Sequence, residues 1–202
     1  MKMRRKCVNL IITGVGGQGI LALSRVIGEA AMKEGYQAKI AEVHGMAQRG
    51  GSLVTQVRIG EGVKSPLIPK FTADLLVSME VIESIRYLEY LKPNGHLVLN
   101  RYMLVPTGIQ MALTLEDLLR SLTSLSDYKL LLIDAYEISS KLGETRVANM
   151  VIFGFLLGGA LLPISKNSAI EAMKTVLPPK FELVNIKAFN EGYKVGLSYR
   201  ME

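Results

Sequence analysis

The chain is poor in the residues from which metal and redox centres are built. Its 202 residues include one cysteine, Cys7, and two histidines, His44 and His96. A single thiol excludes an intrachain disulfide framework, an iron–sulfur cluster ligated within the chain, and a cysteine-based zinc site. Two histidines leave little for a histidine cage, so no metal site is expected. Tryptophan is absent and aromatic residues make up 6%. They are not interleaved with basic residues, so nothing offers nucleic acid a stacking platform. Long apolar runs are missing as well. The longest, Val147–Leu162, spans 16 residues and includes Asn149 and three glycines. A membrane span needs about 20 apolar residues, so this run reads as a buried helix. The basic start (Lys2, Arg4, Arg5, Lys6) is followed by an apolar run, Cys7–Thr13, that is too short for a signal peptide and ends in glycines. The basic cluster itself reads as a solvated tail. The expected location is the cytoplasm, with no membrane or nucleic-acid partner.

What is present suits a folded globule. Hydrophobic residues make up 49% and charged residues 21%, near globular averages. At about 150 residues per domain, residues 1–202 are expected to form one domain. The formal net charge of +6 suits anionic small molecules or an acidic partner face.

Periodicity sets out the elements. Cys7–Thr13 reads as a buried strand, Gly14–Gly19 as a loop, and Ile20–Lys33 as a helix stopped at Gly35. Ala38–Val43 is a second strand, so the three make a βαβ unit. Leu53–Ile59 alternates like a strand. Gly60–Lys70, with Ser65-Pro66 and Ile68-Pro69, is an extended connection. Leu75–Ser78 is a strand, Val81–Leu91 a helix, Pro93-Asn94-Gly95 a turn, and Leu97–Asn100 a strand. Leu115–Leu125 reads as a helix and Leu130–Ile133 as a strand. Tyr136–Leu142, Val147–Leu162, Ser165–Val176 and the amphipathic tail Leu183–Tyr199 read as helices. The expectation is an α/β, Rossmann-like three-layer fold around a mostly parallel sheet, with a helical C-terminal portion.

Three segments stand out as carriers of chemistry. Gly14-Val15-Gly16-Gly17-Gln18-Gly19 matches G-x-G-x-x-G between a strand and a helix. Glycine there permits a tight turn and close approach, and the helix start offers N–H groups to an anion. Glu42, 23 residues after Gly19, stands where a ribose-binding acid would. The same glycines also serve plain strand–helix packing, and Gln18 either meets a ligand or partner or ties down the loop. The second segment runs Glu42-Val43-His44-Gly45-Met46-Ala47-Gln48-Arg49-Gly50-Gly51. It follows the carboxyl end of a strand, where open α/β sheets bind ligands. His44 is a weak candidate acid or base. Arg49 can hold a phosphate or carboxylate, and Gly50 and Gly51 permit close approach. The plainer reading is a surface loop with a solvated arginine. The third, Lys64-Ser65-Pro66-Leu67-Ile68-Pro69, is a stiff connector or a docking segment. Glu80 suits the first turn of a helix. Arg146 and Asn149 open the apolar helix, where Asn149 faces a pocket or satisfies neighbouring backbone. Cys7 reads as a core residue. No nucleophile–base set can be assembled.

Taken in order, Gly14–Ile20, Glu42–Gly51 and Ser65–Ile68 resemble the gamma-type subunit of 2-oxoacid:ferredoxin oxidoreductases. The wording His44-Gly-Met-Ala-Gln-Arg-Gly-Gly51 favours the indolepyruvate branch over the pyruvate and 2-oxoglutarate branches. The likeness is clear over residues 8–100, weaker through Arg146–Gly158 and vague in the tail. It implies that a partner alpha subunit holds thiamine diphosphate and iron–sulfur clusters, that electrons pass to ferredoxin, and that coenzyme A takes the acyl group. This chain would hold no cofactor alone and would be inactive alone. It would help form the substrate or coenzyme A side of a shared site. Gly14, Gly16, Gly17, Gln18, Gly19, Glu42, Arg49, Gly50 and Gly51 are the candidate ligand-facing residues. The residues taken alone also permit a stand-alone NAD- or flavin-binding oxidoreductase, or a non-catalytic assembly subunit.

Overall fold

The computed structural model describes residues 7–44, 50–105, 108 and 112–201, with His44 and Met201 described by backbone alone. Among the described residues thirteen main elements follow one another: β1 (Cys7–Val15), α1 (Ile20–Lys33), β2 (Gln37–His44), β3 (Ser52–Gly60), β4 (Ala73–Ser78), α2 (Val81–Tyr87), β5 (Leu91–Asn100), α3 (Leu115–Ser124), β6 (Lys129–Ile133), α4 (Ala135–Lys141), α5 (Ala148–Gly158), α6 (Lys166–Val176) and α7 (Glu182–Met201). The strands form one sheet in the order β2-β3-β1-β4-β5-β6. β3 runs antiparallel to both its neighbours, and the remaining pairings are parallel.

Strand composition explains this layering. β1 is apolar on both sides because both of its faces are covered. Leu10 and Ile12 join a core built with α1, α5, α6 and α7, and Ile11 joins a second core with α2 and α3. The result is the expected three-layer α/β arrangement. The segment after β3 packs on the second face, where Gln56 Oε1 accepts from Ile68 N–H at 2.6 Å and Arg58 donates to the carbonyl of Ser65 at 3.2 Å. Ile68 is buried and Leu67 is exposed, so this proline segment is a connector with one outward apolar side chain.

Three expectations need correction. The β1–α1–β2 unit is split, because β3 lies between the two parallel strands. The β2–β3 hairpin folds inward beside β1, which periodicity alone does not reveal. Pro93-Asn94-Gly95 does not separate a helix from a strand. It is a bulge within β5, where pairing jumps from Ala73↔Leu91 to Leu75↔His96 and Asn94 takes φ 60°. A bulge uses the same left-handed backbone that a turn does, which accounts for the turn residues. Cys7 opens β1 half-buried and donates to Asn9 Oδ1 at 3.4 Å, so it is not a core residue.

Every residue of α5 is buried, as expected of a helix apolar all round. It crosses α7 along a seam of four glycines. A Cβ added at Gly154 would lie 1.9 Å from the Phe189 carbonyl oxygen, and one at Gly192 would lie 1.8 Å from that of Val151. Gly158 and Gly196 complete the seam with contacts of 2.2 and 2.4 Å. Only glycine lets these two backbones approach so closely.

Candidate functional site

After β1 the chain passes to α1 on one face of the sheet, and after β4 it passes to α2 on the other. The carboxyl ends of these adjacent parallel strands therefore bound a crevice, the usual ligand position in an open α/β sheet. Five segments meet there: the glycine turn 14–19, Ser78–Glu80, Asn100–Tyr102, Asp134–Tyr136, and the start of α5.

The glycine turn is held largely by the protein itself. Gln18 folds back so that its Oε1 accepts from Val15 N–H at 2.8 Å. A Cβ at Gly14 would lie 2.4 Å from that oxygen, so Gly14 makes room for the amide. Gly16 N–H donates to Gly51 O at 2.9 Å, and Gly50 N–H donates to Gly16 O at 3.4 Å. These bonds carry the β1–β3 ladder past Val15↔Ser52 and join the two glycine-rich segments. Gly19 takes φ 76° at the start of α1. Asn149 Nδ2 donates to its carbonyl at 3.0 Å, so Asn149 satisfies backbone. Gly17, at φ 101°, has open space around it and is the exposed member of the turn.

Beside Gly17 lies a cavity of about 210 Å³ lined by Gln18, Tyr136, Thr145, Arg146 and Ala148. Gln18 Nε2 is buried with no hydrogen-bond partner among the described residues. The Tyr136 ring packs on Tyr102 with centroids 4.6 Å apart. Burial raises the Tyr136 pKa, and Tyr102 and Glu80 add to it. Arg146 is largely exposed, and its Nη2 donates to Glu144 Oε2 at 2.5 Å. This pairing holds the Glu144 carboxyl down at about pKa 2. Arg146 also lies 5.3 Å from the centre of the Phe181 ring.

Below this cavity a polar set fixes the strand ends. Asn100 donates to Met79 O at 3.1 Å and accepts from Ala135 N–H at 2.8 Å, tying β5 to the segments that leave β4 and β6. Glu80 caps α2, accepting from Ile82 N–H at 3.0 Å and Glu83 N–H at 2.5 Å. Burial raises its pKa against the pull of those bonds, and the nearby Glu83 carboxyl adds to the rise. Glu83 accepts from Ser52 Oγ at 2.5 Å, which anchors the start of β3 to α2.

Glu42 is not brought to the glycine turn. Its carboxylate pairs with Arg25 at 3.2 Å, and β3 separates its strand from β1, a displacement of about 10 Å at two strand spacings. A dinucleotide site needs those strands adjacent, so the NAD-type arrangement is absent here. His44 ends β2 opposite Leu53. Gln48 and Arg49 lie outside the described residues, as does the basic cluster at Lys2–Lys6. Gly50 takes φ 71° and is exposed. Tyr102, Tyr136 and Asn100 carried no motif, although each lies at or just past the carboxyl end of a strand, a positional signal that would have found them.

As a chemical unit the crevice can bind an anion. It offers a guanidinium, a buried amide N–H group, hydroxyls and the start of α1. Among the described residues no group of His, Cys, Asp and Glu side chains could hold a metal ion. The one thiol cannot supply the four ligands that an iron–sulfur cluster takes, so the residues of this chain do not fit that group.

Residues 9–195 match the family described as pyruvate ferredoxin/flavodoxin oxidoreductase. The chain belongs to this family. Among its relatives, the indolepyruvate oxidoreductase subunit IorB of Pyrococcus horikoshii is 37% identical over 190 residues, covering 92% of this chain and 94% of that one. Two solved structures share the fold of this family member. The gamma subunit of a keto/oxoacid ferredoxin oxidoreductase from Geobacter sulfurreducens superposes with a TM-score of 0.71 at 24% identity, covering 95% of this chain and 99% of that one. The 2-oxoglutarate:ferredoxin oxidoreductase of Magnetococcus marinus, solved with 2-oxoglutarate, coenzyme A and succinyl-CoA bound, superposes with a TM-score of 0.74 at 20% identity. It covers 96% of this chain and 32% of that larger one.

Proposed function

We propose that this chain is the cluster-free subunit of an indolepyruvate-type 2-oxoacid:ferredoxin oxidoreductase, active in the cytoplasm and acting as one domain over residues 1–202. The observation that carries the reading is the near full-length relationship to IorB, set beside a chain with one cysteine. A partner alpha subunit holds thiamine diphosphate and the iron–sulfur clusters. Thiamine diphosphate supplies decarboxylation of the 2-oxoacid, the clusters pass electrons to ferredoxin, and coenzyme A accepts the acyl group.

The residues of this chain do the binding and positioning. Arg49 and Arg146 meet the phosphates of coenzyme A, and the open position beside Gly17 lets the ligand approach the backbone. Gln18 Nε2 is available to donate a hydrogen bond there. The pairing of Gly16 with Gly50 and Gly51 joins the start of β3 to the glycine turn, next in sequence to Gln48 and Arg49. His44 and Gln48 line the interface with the alpha subunit. A coenzyme A substrate agrees with the Magnetococcus marinus oxidoreductase of this fold, which was solved with coenzyme A bound.

Co-expression with the alpha subunit tests the reading. The expected result is a stable complex that reduces ferredoxin with aryl pyruvates in the presence of coenzyme A. In that complex Arg146→Ala or Arg49→Ala should raise the KM for coenzyme A about tenfold or more with little change in the KM for the 2-oxoacid, since each removes about 1.5–3 kcal/mol of charge-assisted bonding. A chain that fails to associate at micromolar concentrations, or a complex without ferredoxin-linked activity, overturns it.

A further inference from the structure

Cavities larger than the one beside Gly17 lie outside the crevice. One, of about 510 Å³, lies at the opposite edge of the sheet, between the end of α1, the end of α5, the start of α6 and α7. The crevice begins at the start of α1 and this cavity at its end. Fourteen helical residues separate the two by about 20 Å. Its volume is that of a pocket for a small organic ligand, too large for a simple inorganic anion.

The lining has three parts. Leu157, Leu162 and Ile164 form a buried apolar floor. Tyr36 and Tyr193 supply aromatic walls, and Lys166 and Arg200 supply two cations. Lys166 Nζ stands 4.8 Å from the centre of the Tyr193 ring, so cation and ring already share one side of the cavity. The one carboxylate in the lining, Glu34, accepts from Ser165 N–H at 2.8 Å. That bond and the Ser165 side chain serve the start of α6, so the ligand capacity of the cavity rests on side chains and not on the helix end. Ala160 on the rim takes φ 54°, a left-handed conformation that costs an alanine roughly 1–2 kcal/mol. It closes α5, whose last turn accepts from Ala160 and Leu161 N–H through the Leu157 and Leu156 carbonyls at 3.0 and 2.9 Å.

We propose that this cavity binds a nucleotide, with the base against the tyrosine walls and apolar floor and the phosphates on Lys166 and Arg200. Two cations in one lining call for a ligand with more than one negative charge. The aromatic walls call for a planar ring. A nucleoside diphosphate satisfies both and fits the volume. Bound there it would brace α1, α6 and α7 together, at a distance from the crevice.

Calorimetric titration of the full chain with ADP tests the proposal, with adenosine and tripolyphosphate as separate arms. Saturable ADP binding below about 1 mM is expected, weakened about tenfold or more by Lys166→Ala or Arg200→Ala. Both side chains are exposed, so neither variant should perturb folding. Adenosine and tripolyphosphate should each bind more weakly than ADP. Arg146→Ala, at the other edge, should leave ADP binding unchanged, which separates this site from the crevice. No ADP binding at that concentration overturns the proposal. So does binding that ignores both substitutions or falls with Arg146→Ala, and so does tripolyphosphate binding as tightly as ADP.

Discussion

Replacing Gly154 by alanine adds one methyl group to a helix, a change that in isolation favours helix formation by about 1 kcal/mol. The α5–α7 seam reverses that sign. The new Cβ would lie 1.9 Å from the Phe189 carbonyl oxygen and 2.7 Å from the Tyr193 nitrogen. A close carbon–oxygen contact is about 3.3 Å, so the helices must part by roughly 1.4 Å. A gap of 0.5–1 Å already forfeits about a quarter to a half of each dispersion contact along the seam. The atoms met are backbone and cannot swing away, which places the cost at the upper end of the overpacking range, about 3 kcal/mol. The net is a loss of about 2 kcal/mol, or roughly 4–8 °C in Tm for a chain of this size. Gly192→Ala should match it, because its Cβ would lie 1.8 Å from the Val151 oxygen. Gly28→Ala in α1 is the control. There the new Cβ would meet the Ile40 Cδ1 methyl at 2.8 Å, a side-chain end that can rotate. Its Tm should stay within about 4 °C of the parent, since helix propensity offsets the contact. Thermal unfolding followed by circular dichroism measures all three. The reasoning fails if Gly154→Ala unfolds at or above the parental temperature, or if Gly28→Ala falls as far as the seam variants.

Gln18→Met removes the acceptor for Val15 N–H and should cost about 1–3 kcal/mol, seen as a lower urea midpoint with an unchanged slope; an unmoved midpoint would show that the amide does not hold the turn. Glu42→Ala breaks only an exposed pair with Arg25 and should move stability by less than about 1 kcal/mol. NAD should not bind measurably to the parent or to this variant, and saturable binding lost with Glu42 would restore the dinucleotide reading. Tyr128 is pushed up to about pKa 12 by burial and then by the Asp127 charge, whereas an unfolded tyrosine ionises near 10. A raised folded pKa stabilises below the unfolded value, so its contribution is complete below pH 10 and is lost as pH rises through 12. Denaturation midpoints across that window should fall less steeply in Tyr128→Phe than in the parent, and equal slopes would count against the assignment.

The layered fold was legible because its signals are local. The boundaries of α1 are set by Gly19 and Gly35, the cap of α6 is Ser165, and the burial of α5 follows from its apolar composition. What escaped is non-local. Nothing in the spacing of Ala38–Val43 and Leu53–Ile59 says that β3 inserts between β1 and β2, yet that insertion removes Glu42 from the glycine turn. The turn residues at Pro93–Gly95 were visible, but whether they end a strand or bulge it depends on the pairing of β4. At the site, Gly14–Gly19 was recognisable as a motif. Its bonds to Gly50, Gly51 and Asn149 were not, because a backbone partner leaves no mark on residue choice. Tyr136 and Asn100 derive their roles from where strands end, which only the assembled sheet reveals.

The pairing order of the first three strands bears on how this family can diversify. The segment joining β2 to β3 is the tip of an antiparallel hairpin. Insertions or deletions at such a tip change neither the register of the ladder nor the layers around it, and loop closure adds only about 0.6 kcal/mol for each doubling of length. A crossover between parallel strands has no such freedom, because its helix must span the sheet. The connection between β2 and β3 is thus a place where length and sequence can vary at little structural cost. The bonds of Gly16 to Gly50 and Gly51 hold the start of β3 in place whatever that connection contains.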